Sequence, residues 1–177
     1  RDATLAHCAE LAAAVGIPVS ADLENGFADA PAAVAETYAL AAETGLAGAS
    51  IEDWSGTAIY AREQATERVR AAVEAAAGRL VVTARAENNL RGVDDLADTI
   101  ARLRDYVAAG ADVVFAPGLT DAGQIGALVR EVNVPVNVLV RPGCPPVAEL
   151  ARLGVRRVSV GGAFAFTAYA ALESAAR

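Results

Sequence analysis

Six short runs rich in β-branched residues recur along the chain: IPVSADL (17–23), AGASIED (47–53), LVVTARA (80–86), ADVVFAP (111–117), VPVNVLV (134–140) and RRVSVGG (156–162). An alanine-rich stretch follows each of them, and their starts lie roughly 20 to 30 residues apart, the length of one strand–loop–helix–loop unit. The intervening stretches carry helix signals. Asp29 stands two residues before Pro31, which suits an N-cap followed by a proline in the first turn, and AAVAETYALAAET then runs over 32–44 to Gly45. Asp94 and Asp95 precede LADTIARLRDYVAAG, in which Leu96, Ile100, Leu103 and Val107 share one face. Thr120-Asp121 precedes AGQIGALVREV, and Pro145-Pro146 precedes VAELARLG.

Strands apolar on both faces that alternate with helices predict a parallel sheet covered by helices. An open doubly wound sheet and a (β/α)8 TIM barrel both satisfy that pattern. The dinucleotide-binding version of the former places G-x-G-x-x-G after its first strand, and no run here is followed by it. Polar residues instead gather at the C-terminal ends of the runs: Asp22 and Glu24, Glu52 and Asp53, Arg85 and Glu87, Asn137, Ser159. Contributions from several strand ends to one face are what a barrel active site requires, so the barrel is expected. A closed barrel of this kind needs eight strands. The stretch RDATLAHCAELAAAVG (1–16) reads as a helix without its preceding strand, and the chain opens on Arg1 with no methionine anywhere. The expectation is a single barrel domain over 1–177, an incomplete portion, with the first two strands absent from this chain.

Charge and composition exclude other classes. A net charge of −7 gives no basic stripe for nucleic acid. No apolar run approaches the roughly 20 residues that span a bilayer, so a cytoplasmic protein without a membrane partner is expected. Cys8 and Cys144 lack metal-type spacing, and reduced thiols are expected of them.

Strand-end carboxylates at Asp22, Glu24 and Glu52 suit a hard divalent cation, which takes oxygen ligands and keeps several waters. Such an ion acts as a Lewis acid on a carbonyl. Arg85 supplies a planar fork for a carboxylate or phosphonate. Together they describe a site for a 2-oxo acid or its enolate. Buried between apolar neighbours, Arg85 needs an anion, either substrate or a neighbouring acid such as Glu87. Asp53 serves as well for a loop cap as for a site member. His7, the single histidine, reads as a helix-surface residue and Cys8 as a small core residue. Cys144, in RPGCPP beside Arg141, falls on the expected active face, but nucleophilic chemistry is not expected of it. Gly161-Gly162 suits either a phosphate cradle or a close helix–strand approach.

The segments ADLENGF (21–27), GASIED (48–53), TARAEN (83–88), AGADVVFAPG (109–118), PVNVL (135–139) and LGVRRVSVGG (153–162) resemble, in order, those of the isocitrate lyase/phosphoenolpyruvate mutase superfamily. The resemblance covers about residues 1 to 172, and its most specific pieces are A-D-x-E-x-G-[FY] and the I-E-D strand. It implies a barrel with Mg²⁺, or Mn²⁺ in its place, at the C-terminal face. Asp22 matches the direct metal carboxylate, and Glu24 and Glu52 match acids that hold the metal through its waters. Arg85 matches the arginine at the substrate carboxylate and reacting group, and Asn137 a residue of the substrate pocket. The implied activity is that of a lyase or mutase, making or breaking a C–C or P–C bond next to a 2-oxo acid through an enolpyruvate-like intermediate. The implied partners are a small carboxylate or phosphonate and further copies of the chain, as a homo-oligomer of the tetrameric kind.

Two departures qualify the resemblance. Isocitrate-type lyases carry K-[KR]-C-G-H on a loop after the I-E-D strand, whereas here WSGTAIYAREQ (54–64) has no cysteine, lysine or histidine. A loop-cysteine mechanism is therefore not expected. Ala28 also stands where the family has glycine. The competing readings are a phosphate-binding barrel aldolase or isomerase, which would want a strand-end lysine that this chain lacks, and a non-catalytic barrel member.

Overall fold

Every one of the six runs contains a strand, and each strand pairs in parallel with the next in chain order, β1-β2-β3-β4-β5-β6. The computed structural model describes residues Arg1–Arg177. The strands are β1 (Ser20–Asp22), β2 (Gly48–Glu52), β3 (Val81–Arg85), β4 (Val113–Phe115), β5 (Val136–Leu139) and β6 (Arg157–Ser159). Helices α1 (Asp2–Ala14), α2 (Pro31–Ala41), α3 (Arg62–Ala76), α4 (Leu96–Ala108), α5 (Ala122–Glu131), α6 (Val147–Leu153) and α7 (Ala163–Ala176) alternate with them. A doubly wound sheet reverses its strand order at a switch point. The order here never reverses, so the chain forms a curled parallel half-barrel of the TIM type.

The two faces of the sheet differ, which corrects the expectation of strands apolar on both sides. Ala49, Ile51, Val82, Ala84, Val114, Val136 and Val138 are buried and pack in the core with Val34, Tyr38, Val69, Leu103 and Ile125 of the helices. The opposite residues, in alternation, are Ser50, Thr83, Arg85, Asn137, Arg157 and Ser159, and they line a cavity inside the curve of the sheet. Apolar burial on the helix side supplies the driving force, so the inner face is free to be polar.

The helix starts follow their caps closely at two places. Asp95 accepts the Asp98 N–H at 2.9 Å, and Asp121 accepts the Gln124 N–H at 2.9 Å. At α2 the cap position is Ala30 rather than Asp29. The Asp29 carboxylate is engaged elsewhere, by the Tyr60 hydroxyl. No helix is long and apolar enough to cross a membrane. Helix α7 buries none of its residues and leaves Phe164, Phe166, Tyr169 and Leu172 exposed.

The largest fully buried side chain is a cation, Arg68 of α3, 1% exposed. It has no carboxylate partner. Its Nε donates to the Asp29 carbonyl at 3.1 Å, Nη1 to Glu52 O at 3.4 Å, and Nη2 to Ala28 O at 2.7 Å and to Asn25 O. The guanidinium also stacks 4.0 Å from the Tyr60 ring centroid. Charge delocalised over a planar fork is what makes such a desolvated cation tolerable. Removing it would orphan carbonyls in the loops after both β1 and β2. Arg68→Met is therefore expected to lower the unfolding free energy by about 3 kcal/mol or more, read from urea midpoints. A loss below about 1 kcal/mol would show that these carbonyls find other donors.

Candidate active site

Strand register aligns the site. Glu52 pairs with Arg85, Arg85 with Phe115, Phe115 with Asn137 and Asn137 with Arg157, giving one transverse row over five strands. Two residues earlier along the strands, Asp22 pairs with Ser50 and Ser50 with Thr83. Because in-register neighbours of a parallel sheet share a face, both rows turn toward the inner cavity. Its volume is about 420 Å³, and Asp22, Ser50, Thr83, Arg85, Phe115, Asn137, Arg157 and Ser159 are among its lining residues.

Arg85 is the electrostatic centre of one wall. Its Nη1 lies 3.3 Å from Asp22 Oδ2 and 3.3 Å from Glu52 Oε2, and its Nε donates to Glu87 Oε1 at 2.5 Å. The Phe115 ring stands 5.6 Å from its guanidinium carbon. Glu87 is wholly buried, and its second oxygen is 2.8 Å from Arg91 Nη2, off the line of a hydrogen bond. Arg91 in turn stacks on Trp54 at 4.0 Å. Glu87 thus orients Arg85, as its sequence position implied.

The loop after β1 is held in a demanding conformation. Glu24 has φ +52°, Gly26 +75° and Phe27 +57°, all in the left-handed region. Asp22 Oδ1 accepts the Glu24 N–H at 3.0 Å, and the Glu24 carbonyl accepts the Glu52 N–H at 2.9 Å. These bonds fix the strained turn in place. Ala28 is outside the left-handed region, which explains why alanine is accommodated where the family has glycine.

Asp22, Glu24 and Glu52 do not close into a group of three direct ligands. Asp22 faces the main cavity and is 59% exposed. Glu24 and Glu52 border a neighbouring recess with Asn25, Trp54 and Ser55. The donor set nevertheless fits a hard divalent ion. It is made wholly of oxygen, and the three carboxylates of Asp22, Glu52 and Glu87 face two guanidinium groups, Arg85 and Arg91. Burial, opposed by Arg85 and reinforced by Glu87 and Asp22, pushes the Glu52 carboxyl up to about 7.

Asp53 does not reach the cavity. It is 2% exposed and accepts the Glu87 N–H at 2.8 Å and the Tyr106 hydroxyl at 2.7 Å, with Arg102 Nη1 at 3.3 Å. Burial raises its pKa, while Tyr106, the Glu87 N–H and Arg102 oppose the rise. Asp53 is a brace between the ends of β2 and β3. His7 is exposed beside Glu10 at 3.5 Å, and Cys8 is buried. Cys144 points its Sγ at the Leu139 carbonyl, 3.4 Å away. Asn137 is 4% exposed, donates to Ser159 Oγ at 3.1 Å and leaves its Oδ1 without a partner. Sequence reasoning missed Arg157, Ser50, Thr83 and Phe115; alternation from Ser159, Glu52 and Arg85 marks the first three as inward-facing, whereas Phe115 is placed only by strand register.

With this geometry in view, the family follows: residues 1–177 match the family model described as phosphoenolpyruvate phosphomutase, and the chain belongs to that family, within the phosphoenolpyruvate mutase/isocitrate lyase superfamily. A Burkholderia cenocepacia protein solved as a candidate lyase/mutase superposes with a TM-score of 0.95 at 56% identity, covering 99% of this chain and 66% of that one. An uncharacterized protein of Mycobacterium tuberculosis is 36% identical over 159 residues, 89% of this chain and 60% of the relative. An oxaloacetate decarboxylase of Pseudomonas entomophila is 32% identical over 180 residues, 93% of this chain and 61% of the relative. The chain thus spans about 60% of the length of the curated relatives it matches.

Two tests address this geometry. The folded state favours protonated Glu52, so the stability it contributes is full below the ordinary value of 4.5 and is lost as pH rises to about 7. In EDTA, Glu52→Gln should flatten the stability profile across that interval and exceed wild type on its alkaline side, by an amount on the order of 3 kcal/mol. Parallel profiles would show that the Glu52 carboxyl is not displaced. For the turn, Glu24→Gly should be more stable than Glu24→Ala by about 0.5–1 kcal/mol, since only glycine adopts the left-handed region without cost. Equal midpoints in urea would mean that the turn relaxes.

Proposed function

We propose that this chain carries the catalytic face of a Mg²⁺-dependent lyase or mutase that makes or breaks a C–C or P–C bond next to a 2-oxo acid, through an enolpyruvate-like intermediate. The observation that carries the reading is the placement of Arg85 between Asp22 and Glu52 at the mouth of a polar cavity, with negative charge in surplus. Asp22 would hold the cation directly, and Glu24 and Glu52 would hold it through water, with Mn²⁺ as a substitute. Bound there, the ion supplies Lewis-acid stabilisation of charge developing on the 2-oxo oxygen.

The chain's own residues do the rest. Arg85 presents a fork to the substrate carboxylate and is kept in orientation by buried Glu87 and by Phe115. Asn137 lines the pocket, anchored to Ser159, as a positioning group. Without the ion, the Glu52 carboxyl lies near 7 beside the Arg85 guanidinium, and a bound cation would draw it toward the ionised form. Loop 54–64 carries no cysteine, which speaks against an isocitrate-type loop mechanism. The oxaloacetate decarboxylase relative supports a small 2-oxo carboxylate as substrate. A single domain of the (β/α)8 barrel type, assembly of copies and a cytoplasmic setting belong to the same proposal; the exposed aromatic side chains of α7 support the assembly.

The test is turnover. The protein is incubated with oxaloacetate, alkylmalates and phosphonopyruvate, with Mg²⁺ or EDTA, and product acids are followed. Turnover on one of them is expected to vanish in EDTA and to fall by about two orders of magnitude or more in Asp22→Ala. Turnover indifferent to both EDTA and Asp22→Ala, or absent on every substrate, would overturn the proposal.

A further inference from the structure

We infer that Arg91 and Trp54 are positioning residues for Arg85, acting on it through the buried carboxylate of Glu87; the kinetic side of the inference rests on the functional reading above. Glu87 is wholly buried, and a carboxylate in that setting must be met by cations. Two guanidinium groups meet it, one at each oxygen. Arg85 Nε lies 2.5 Å from Oε1, and Arg91 Nη2 lies 2.8 Å from Oε2. The two contacts are not alike. Arg85 donates a hydrogen bond to Oε1, whereas Oε2 has no donor in line with it. Arg91 therefore serves Glu87 as a charge held close and not as a directional donor.

Trp54 is what keeps that charge in place. The Arg91 side chain is 34% exposed, so water competes for its guanidinium. The group stacks instead on the indole, 4.0 Å from the ring centroid. Its backbone N–H bonds the Glu87 carbonyl at 3.0 Å, closing the short helical turn Asn88–Arg91. Trp54 follows Glu52 by two residues and is tied back by an antiparallel bridge to Ile59. Glu52, Arg85, Glu87, Arg91 and Trp54 thus form a circuit of side chains that joins the ends of β2 and β3. The circuit sets how Arg85 divides its charge, for its Nη1 lies 3.3 Å from both Asp22 and Glu52 while its Nε serves Glu87. Without Arg91, Arg85 is the one cation left within ion-pair distance of Glu87. The buried acid then draws the guanidinium toward itself and away from the cavity.

Steady-state kinetics in Mg²⁺, on whichever of oxaloacetate, an alkylmalate or phosphonopyruvate is turned over, compare wild type with variants of both residues. Arg91→Met and Trp54→Ala are each expected to raise KM about tenfold, with kcat within about threefold of wild type. Trp54→Phe keeps an aromatic face and should recover most of that loss; Arg91→Lys keeps a charge without the planar fork and should recover part. In a Glu87→Gln background Arg91→Met should change KM by less than about twofold, because the group it acts through has lost its charge. Arginine Nε–Hε NMR reads the same placement without substrate or metal. The Arg85 signal, assigned by its loss in Arg85→Lys, should move in Arg91→Met and Trp54→Ala and stay near its wild-type position in Trp54→Phe; Arg91→Lys gives this reading if Arg91→Met does not fold. An unmoved Arg85 signal, an unchanged KM in Arg91→Met, or an equal rise in KM with Glu87 intact and replaced would overturn the inference and leave the functional reading standing. Wild type without turnover, but with the NMR shifts as expected, would overturn the functional reading and leave the positioning of Arg85 standing.

Discussion

A buried cation without a carboxylate partner governs the architecture of the site. Arg68 reaches from α3 beneath the loops that follow β1 and β2 and donates to the carbonyls of Asn25, Ala28, Asp29 and Glu52. Backbone carbonyls in a loop ordinarily find water, and these instead find one rigid fork. The turn that holds Glu24 and Phe27 in the left-handed region can then persist, because its neighbours on both sides are fixed. The positions of Asp22, Glu24 and Glu52 thus depend on a residue that touches none of their carboxylates.

Above that foundation, charge is arranged in two layers with opposite purposes. The lower layer is closed: Asp53 takes Tyr106, Arg102 and the Glu87 N–H, and Arg102 also bonds Asp98 at 2.7 Å and the Tyr60 carbonyl at 2.9 Å. Every charge in it is matched within the chain, as a buried network must be if it is to be rigid. The upper layer is open. Asp22, Glu52 and Glu87 surround the Arg85 guanidinium, and the carboxyl of Glu52 is raised by burial first and by its acidic neighbours second. A layer whose charges do not cancel is a poor device for stability and a good one for holding an ion.

How far the sequence carries this picture depends on the range of each interaction. Strand positions were legible because β-branched runs and helix caps are local, and the acids at strand ends were legible because a parallel sheet delivers its C-terminal ends to one face. The polar inner face was not legible, since runs such as LVVTARA and VPVNVLV read as apolar throughout until the curvature of the sheet assigns one face to helices. Asp53 could not be told from a site residue because Glu52-Asp53 is a single step of the chain, while alternation turns one side chain inward and the other into the brace. Arg68 and Arg102 were invisible for a different reason: an arginine on a helix reads as solvated, and only packing reveals that its partners lie in other segments. The substitution at Ala28 is settled by backbone geometry rather than by composition, for the positive φ angles fall at Glu24, Gly26 and Phe27.

The cavity is polarised as a consequence. Its β1–β3 wall carries the acidic excess, and its β6 wall carries Arg157 facing neutral groups. Arg157 is half-buried, and its guanidinium donates to the neutral Thr83 Oγ1, so the charge of that wall is offset by no carboxylate of the chain. Polarity of this sort favours a cation on the side of Asp22 and Glu52 and an anion on the side of Arg157. Both walls are carried on paired strands, which hold Asp22, Glu52, Arg85 and Arg157 more rigidly than loops would.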